Sequence, residues 1–131
     1  WRRNMQLVIE KFEYQEKILI VTGKTSIGMI KGIWKNEKEP TIGEKYFVEL
    51  SIDMPIERKV RKEDLSSLAV LDNENVIFVG VCEDIDNEVY YLRFDIDWLD
   101  MLDIKAIASK KKKGDYISFF SNWRNIEIYA Y

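Results

Sequence analysis

A chain of 131 residues with 47% hydrophobic, 13% aromatic and 33% charged residues has the length of one domain and the composition of a folded chain rather than a disordered one. Its net charge of −3 is small, it has no histidine, and Cys82 is its single cysteine. These counts exclude an internal disulfide, remove the commonest general base and metal ligand, and leave no Ser-His or Cys-His arrangement for nucleophilic catalysis.

The N-terminal Trp1-Arg2-Arg3-Asn4 is charged but precedes no apolar stretch with a small-residue cleavage site, so no export signal is expected. These four residues fit either native upstream sequence or residues added ahead of Met5. Met5 to Tyr14 and Ile18 to Thr22 read as strands joined by the polar Gln15-Glu16-Lys17. The next stretch, VTGKTSIG, contains the last three letters of a phosphate-binding loop at Gly23-Lys24-Thr25. That loop needs a second glycine where Ile18 stands, and a helix after Thr25, where two glycines and β-branched residues disfavour one. The stretch therefore reads as a turn into a third strand, Ile27 to Trp34.

Pro40-Thr41-Ile42-Gly43 is turn chemistry before Tyr46 to Asp53, where Tyr46, Val48, Leu50 and Ile52 alternate with Phe47, Glu49, Ser51 and Asp53. Arg58 to Leu68 spaces leucines in a way that allows a short helix. Val76 to Cys82 reads as a buried strand, with Cys82 an inert core thiol. In VYYLRFDIDW, Tyr90, Leu92, Phe94, Ile96 and Trp98 share one face of a strand, and Tyr91, Arg93, Asp95 and Asp97 the other. Trp98 to Ala108 fits either a helix or a weak alternation. Lys113-Gly114-Asp115 then turns into Tyr116 to Ser121, and Ile126 to Tyr131 is the last strand. The expected fold is mainly β: a single small barrel over residues 1–131, OB-like or a similar Greek key, of about seven or eight strands with one or two short helices.

Charge is unevenly spread. Residues 72–103 hold 10 Asp and Glu against the single cation Arg93. Like charges at that density repel, so they cost stability unless something uses them. Asp84, Asp86, Glu88, Tyr91, Asp95, Asp97, Asp100 and Asp103 are the candidate partner-binding residues of an acidic face suited to a basic protein. The same loop, Asp84 to Glu88, lacks the glycine and the bidentate glutamate of a calcium loop, and a solvated hairpin tip explains it better. Asp95 and Asp97 lie about 7 Å apart on one strand face, a spacing that permits carboxylate-dependent hydrolysis, although nothing marks a cleft. Two basic clusters, Lys59, Arg61 and Lys62, and Lys110, Lys111, Lys112 and Lys113, offer phosphate contacts for single-stranded nucleic acid. Trp34, Phe47, Tyr91 and Trp123 are available for stacking in that reading. The acidic balance of the chain argues against it.

The pattern Gly32-Ile33-Trp34, Glu39-Pro40, Gly43-x-x-Tyr46-x-Val48-Glu49-Leu50-x-Ile52, Gly114-Asp115-Tyr116-Ile117 and Asn125-Ile126-Glu127-Ile128-Tyr129 resembles small bacterial β-barrel proteins of the polymorphic-toxin immunity type. It covers the first half and the last fifth of the chain and is built from turn and strand residues. The resemblance implies a non-enzymatic, cytoplasmic protein that neutralises a cognate protein toxin by binding it, and it assigns no site residue. A nuclease toxin is the expected partner, because a site that accepts phosphates is itself cationic. No cofactor, metal or membrane is expected. An OB-like nucleic-acid-binding module is the alternative, and a carboxylate-dependent hydrolase the third reading.

Overall fold

A computed structural model describes residues 5–62 and 66–131. The described residues form eleven strands: β1 (Met5–Gln15), β2 (Ile18–Thr25), β3 (Gly28–Trp34), β4 (Lys45–Ile52), β5 (Ile56–Arg58), β6 (Leu68–Asp72), β7 (Asn75–Asp86), β8 (Val89–Asp95), β9 (Trp98–Asp103), β10 (Tyr116–Asn122) and β11 (Ile126–Ala130). The expected mainly-β barrel is correct in class. The strand number and the helices are not: eleven strands replace seven or eight, and the described residues hold only 3-10 turns, at Ile104–Ala106 and Trp123–Asn125 among them.

Five strands close a barrel in the order β1, β2, β3, β11, β4 and back to β1. Four of its five seams are antiparallel, and β3 with β11 is parallel. Met5, Leu7 and Ile9 alternate into the interior. A bulge between Ile9 and Lys11 shifts the register by one residue, so that Phe12, opposite Val21, stays on the inner side. Without that extra residue every later side chain of β1 would change face. Leu19, Val21, Ile30, Val48, Leu50, Ile126 and Ile128 complete the buried interior.

The remaining strands, β5 to β10, are inserted between β4 and β11 and form a second, curled layer. Its spine is the 12-residue β7, which pairs with β6 along Asn75–Val79 and with β8 along Val81–Asp86, while β10 covers its other edge. β5 flanks β10, and β9 flanks β8. Phe78, Phe94, Trp98 and Phe119 fill the concave side. Phe78 stacks on Phe119 at 5.2 Å and Phe94 lies 4.8 Å from Trp98 between ring centroids. Each such ring contributes about 1.5–3 kcal/mol by leaving water. Gly80 makes the arrangement possible, since a Cβ there would stand 2.9 Å from the Phe94 ring. The layer meets the barrel where Gly28 of β3 pairs with Ala69 of β6 and Ala69 N–H donates to Ile27 O at 3.0 Å.

Three expectations change at this level. The Ile18–Thr22 strand runs on to Thr25, so the turn into β3 is only Ser26-Ile27, and Gly23 sits inside the strand against Leu7. The segment Arg58 to Leu68 is not an α-helix where it is described, with a 3-10 turn at Lys62. Arg58 ends β5 and Leu68 begins β6, while Glu63, Asp64 and Leu65 lie outside the described residues. Trp98 to Ala108 is strand through Asp103, followed by one 3-10 turn capped by the Asp103 carboxylate, which accepts from Lys105 N–H at 2.9 Å.

Candidate functional site

The acidic third of the chain folds into two consecutive hairpins, β7–β8 and β8–β9. Asp86 and Val89 close the first around Asn87-Glu88, where Asn87 takes the left-handed conformation at φ 43°. Ile96 and Asp97 turn the second. Ile96 is 86% exposed there, so the alternation that runs Tyr90, Leu92, Phe94 into the core stops at Asp95 instead of continuing to Trp98.

Strand register sorts the predicted acidic residues into different surroundings. Tyr91 stands opposite Asp84 on β7 and Met101 on β9, and Val89 stands between Asp86 and Asp103. These residues share the outer face. Asp100 stands opposite the buried Leu92, on the other side of the hairpin, and lines a small cavity with Ile52, Phe94 and Phe119. Asp95 bonds to the Ser26 hydroxyl on the β2–β3 turn and caps its own turn through Ile96 N–H at 2.8 Å. With Asp97, Ser26, Gln6 and Trp98 it lines a separate recess of about 180 Å³. Glu88 is at the hairpin tip, its carbonyl accepting from Ile104 N–H at 2.9 Å. The eight residues therefore do not form one continuous face.

What the outer face does form is an open groove of about 620 Å³ lined by Glu83, Asp84, Ile85, Asp86, Tyr91, Leu99 and Lys113. Glu83 and Leu99 were not singled out by sequence. Glu83 lies in the register shift between Cys82 and Asp84, and a strict alternation cannot place a residue in a bulge. Leu99 belongs to β9, a strand hidden by its helical look-alike. Arg93, the one cation of the acidic third, is consumed locally. Its guanidinium donates to Glu83 at 2.8 Å and to the Ile96 carbonyl at 3.1 Å. Lys113 pairs with Asp84 at 3.3 Å, so the four-lysine run borders the acidic groove. The Ile85 N–H, and then Lys113, hold the Asp84 carboxyl below the ordinary carboxylate range. Asp84 thus stays charged to lower pH than a free aspartate, and protonation on acidification weakens its bond to Lys113.

Comparison with known protein families, with curated proteins and with solved structures finds no match.

The second predicted set, Lys59, Arg61, Lys62 and Lys110 to Lys113, is also gathered by the fold. Glu57 on β5 accepts from Ala108 N–H and from the Ser109 hydroxyl, both at 2.7 Å, which clamps the segment entering the lysine run against β5. The aromatic residues expected to stack beside these lysines are divided. Trp34 and Trp123 are buried, Trp34 donating to Lys38 O at 2.7 Å and Trp123 lying beneath Lys31 and Arg124. Phe47 is 52% exposed on the barrel wall. Among the described residues no three His, Cys, Asp or Glu side chains are placed to hold a metal, and no helix is long and apolar enough to cross a membrane.

Proposed function

We propose that the chain is a non-enzymatic inhibitor of the immunity type, which binds a basic bacterial toxin, a nuclease, through the outer face of β7, β8 and β9. The observation that carries this reading is the groove itself. It combines a carboxylate rim at Glu83, Asp84 and Asp86, the first two held by Arg93 and Lys113, with the partly exposed Ile85 and Tyr91 above the buried Leu99, the mixture of charge and apolar surface that protein interfaces use. The resemblance set out above supports the class. Its residues fall on β3, β4 and β11, three of the five barrel strands, and at the entrance to β10. We also read the barrel as OB-like, on the cyclic order β1-β2-β3-β11-β4 and its single parallel seam.

The test is capture of the product of the adjacent gene, followed by charge reversal. The double variant Asp84→Lys/Asp86→Lys is expected to weaken binding at least 10-fold, mainly by slowing association, with the loss shrinking at high salt. Asp95→Lys/Asp97→Lys, outside the groove, is expected to have a smaller effect on association. Equal losses from both pairs would mean that the groove does not select the partner.

A further inference from the structure

Two basic clusters about 50 residues apart in sequence are brought to one edge of the second layer. β5 runs antiparallel to β10, with Arg58 opposite Ser118 and Ile56 opposite Phe120, so residues 59–62 continue toward the end of β10 where residues 110–113 turn in. The Glu57 clamp on Ala108 and Ser109 holds the second cluster beside the first. Lys59, Lys62, Lys110 and Lys112 are exposed and make no ion pair with a described residue, and Lys111, whose N–H donates to the Tyr90 hydroxyl at 3.1 Å, is partly buried and close enough to Glu57 to favour its charged form. Only Lys113, at the border, is spent on Asp84. The segments that carry these ammonium groups are thus brought to one edge by the β5–β10 register and the Glu57 clamp, and like charges placed on one edge repel one another unless an anion uses them. On the adjoining outer side of β10, Tyr116 and Phe120 are half-buried aromatic side chains, and Arg58 donates to the Ser118 hydroxyl between them at 3.2 Å.

We infer that this edge, separate from the acidic groove, is a binding surface for single-stranded nucleic acid. The lysines of residues 59–62 and 110–112 take the phosphates, and the β10 aromatic side chains offer faces to bases. Phosphodiester chain and base together match this pairing of unpaired cations with aromatic surface, whereas a polyanion without bases uses only half of it. Glu57 acts as a positioning residue, arranging cations that it does not itself supply.

The experiment is fluorescence anisotropy with a labelled 15-nucleotide oligo(dT) across 50–200 mM salt, using the whole chain. Neutralisation by five lysines predicts a slope of log K against log salt of about −3.5, which is a loss of about 100-fold over that range. Lys110→Ala/Lys111→Ala/Lys112→Ala is expected to flatten the slope to about −1.4. Glu57→Ala removes a negative charge, so charge counting alone predicts tighter binding, whereas release of the clamp predicts weaker binding. A circular dichroism melt of that variant separates loss of the clamp from loss of the fold. Amide shifts on β10 and on residues 107–113 should accompany binding. The inference fails if the oligonucleotide does not bind at 50 mM salt, if the triple variant keeps the full slope, if Glu57→Ala binds more tightly, or if heparin of equal charge competes as well as unlabelled oligo(dT).

Discussion

At the scale of single residues, glycines mark where the two layers touch and where they do not. Gly28 has φ 139°, and a Cβ built on it would lie 1.8 Å from the Ala69 carbonyl oxygen, a backbone atom that cannot swing away. Gly43 also has a positive φ, at 84°, but nothing stands within 4 Å of its Cβ direction. Gly43→Ala is therefore expected to cost about 1 kcal/mol, the conformational term alone. Gly28→Ala adds the collision, at the one ladder step joining β3 to β6, and is expected to cost roughly 3 kcal/mol or more. Urea denaturation of the two variants measures the difference directly, and equal costs would mean that the β3–β6 contact yields freely. The sequence showed both glycines as turn residues and could not distinguish them, because the collision at Gly28 involves a residue 41 positions away.

At the scale of elements, legibility followed burial. Strands with one wet face, such as β4 and β8, were visible in their alternation, and so were the turns that bound them. β5 and β6, of three and five residues, were missed, and β9, of six, fitted helix and strand alike. A strand that short shows one to three side chains per face, too few for its period to be told from the spacing of a helix. The register then decided the candidate site. Asp95, Asp97 and Asp100 share the composition of Asp84 and Asp86 but not their face, because turn and pairing positions, not composition, determine which side of a hairpin a carboxylate occupies. Arg93 joins those elements. It bridges the β7 bulge at Glu83 and the β8–β9 turn at the Ile96 carbonyl. Arg93→Met keeps the aliphatic stem and removes the bridge. It is expected to raise amide exchange in β9 about fivefold, for about 1 kcal/mol of local stability, with little change in the barrel amides. Hydrogen-exchange mass spectrometry or NMR would show it, and uniform exchange across both layers would make Arg93 a global rather than a local strut.

At the scale of the whole molecule, the sequence disclosed the barrel class but not its closure, which depends on β3 meeting β11 after more than 90 residues of intervening chain. Its segregated charge was equally visible as a count, while the fold alone revealed that acidic and basic stretches meet along one border, at Lys113 and Asp84. The way the second layer is attached has a practical corollary. The chain leaves the barrel after β4 and returns before β11 at neighbouring points: Asp53 N–H donates to Asn125 O at 2.8 Å, and the Ser121 hydroxyl to Asp53 O at 2.7 Å. Entry and exit are thus side by side, as in a guest inserted into a host at a surface loop. A shortened chain that joins Asp53 to Trp123 through a two- or three-residue turn keeps every ladder of the five-stranded ring but uncovers the barrel side chains that share one core with Phe78, Phe94 and Trp98, so its circular dichroism melt measures how much the host owes to its guest.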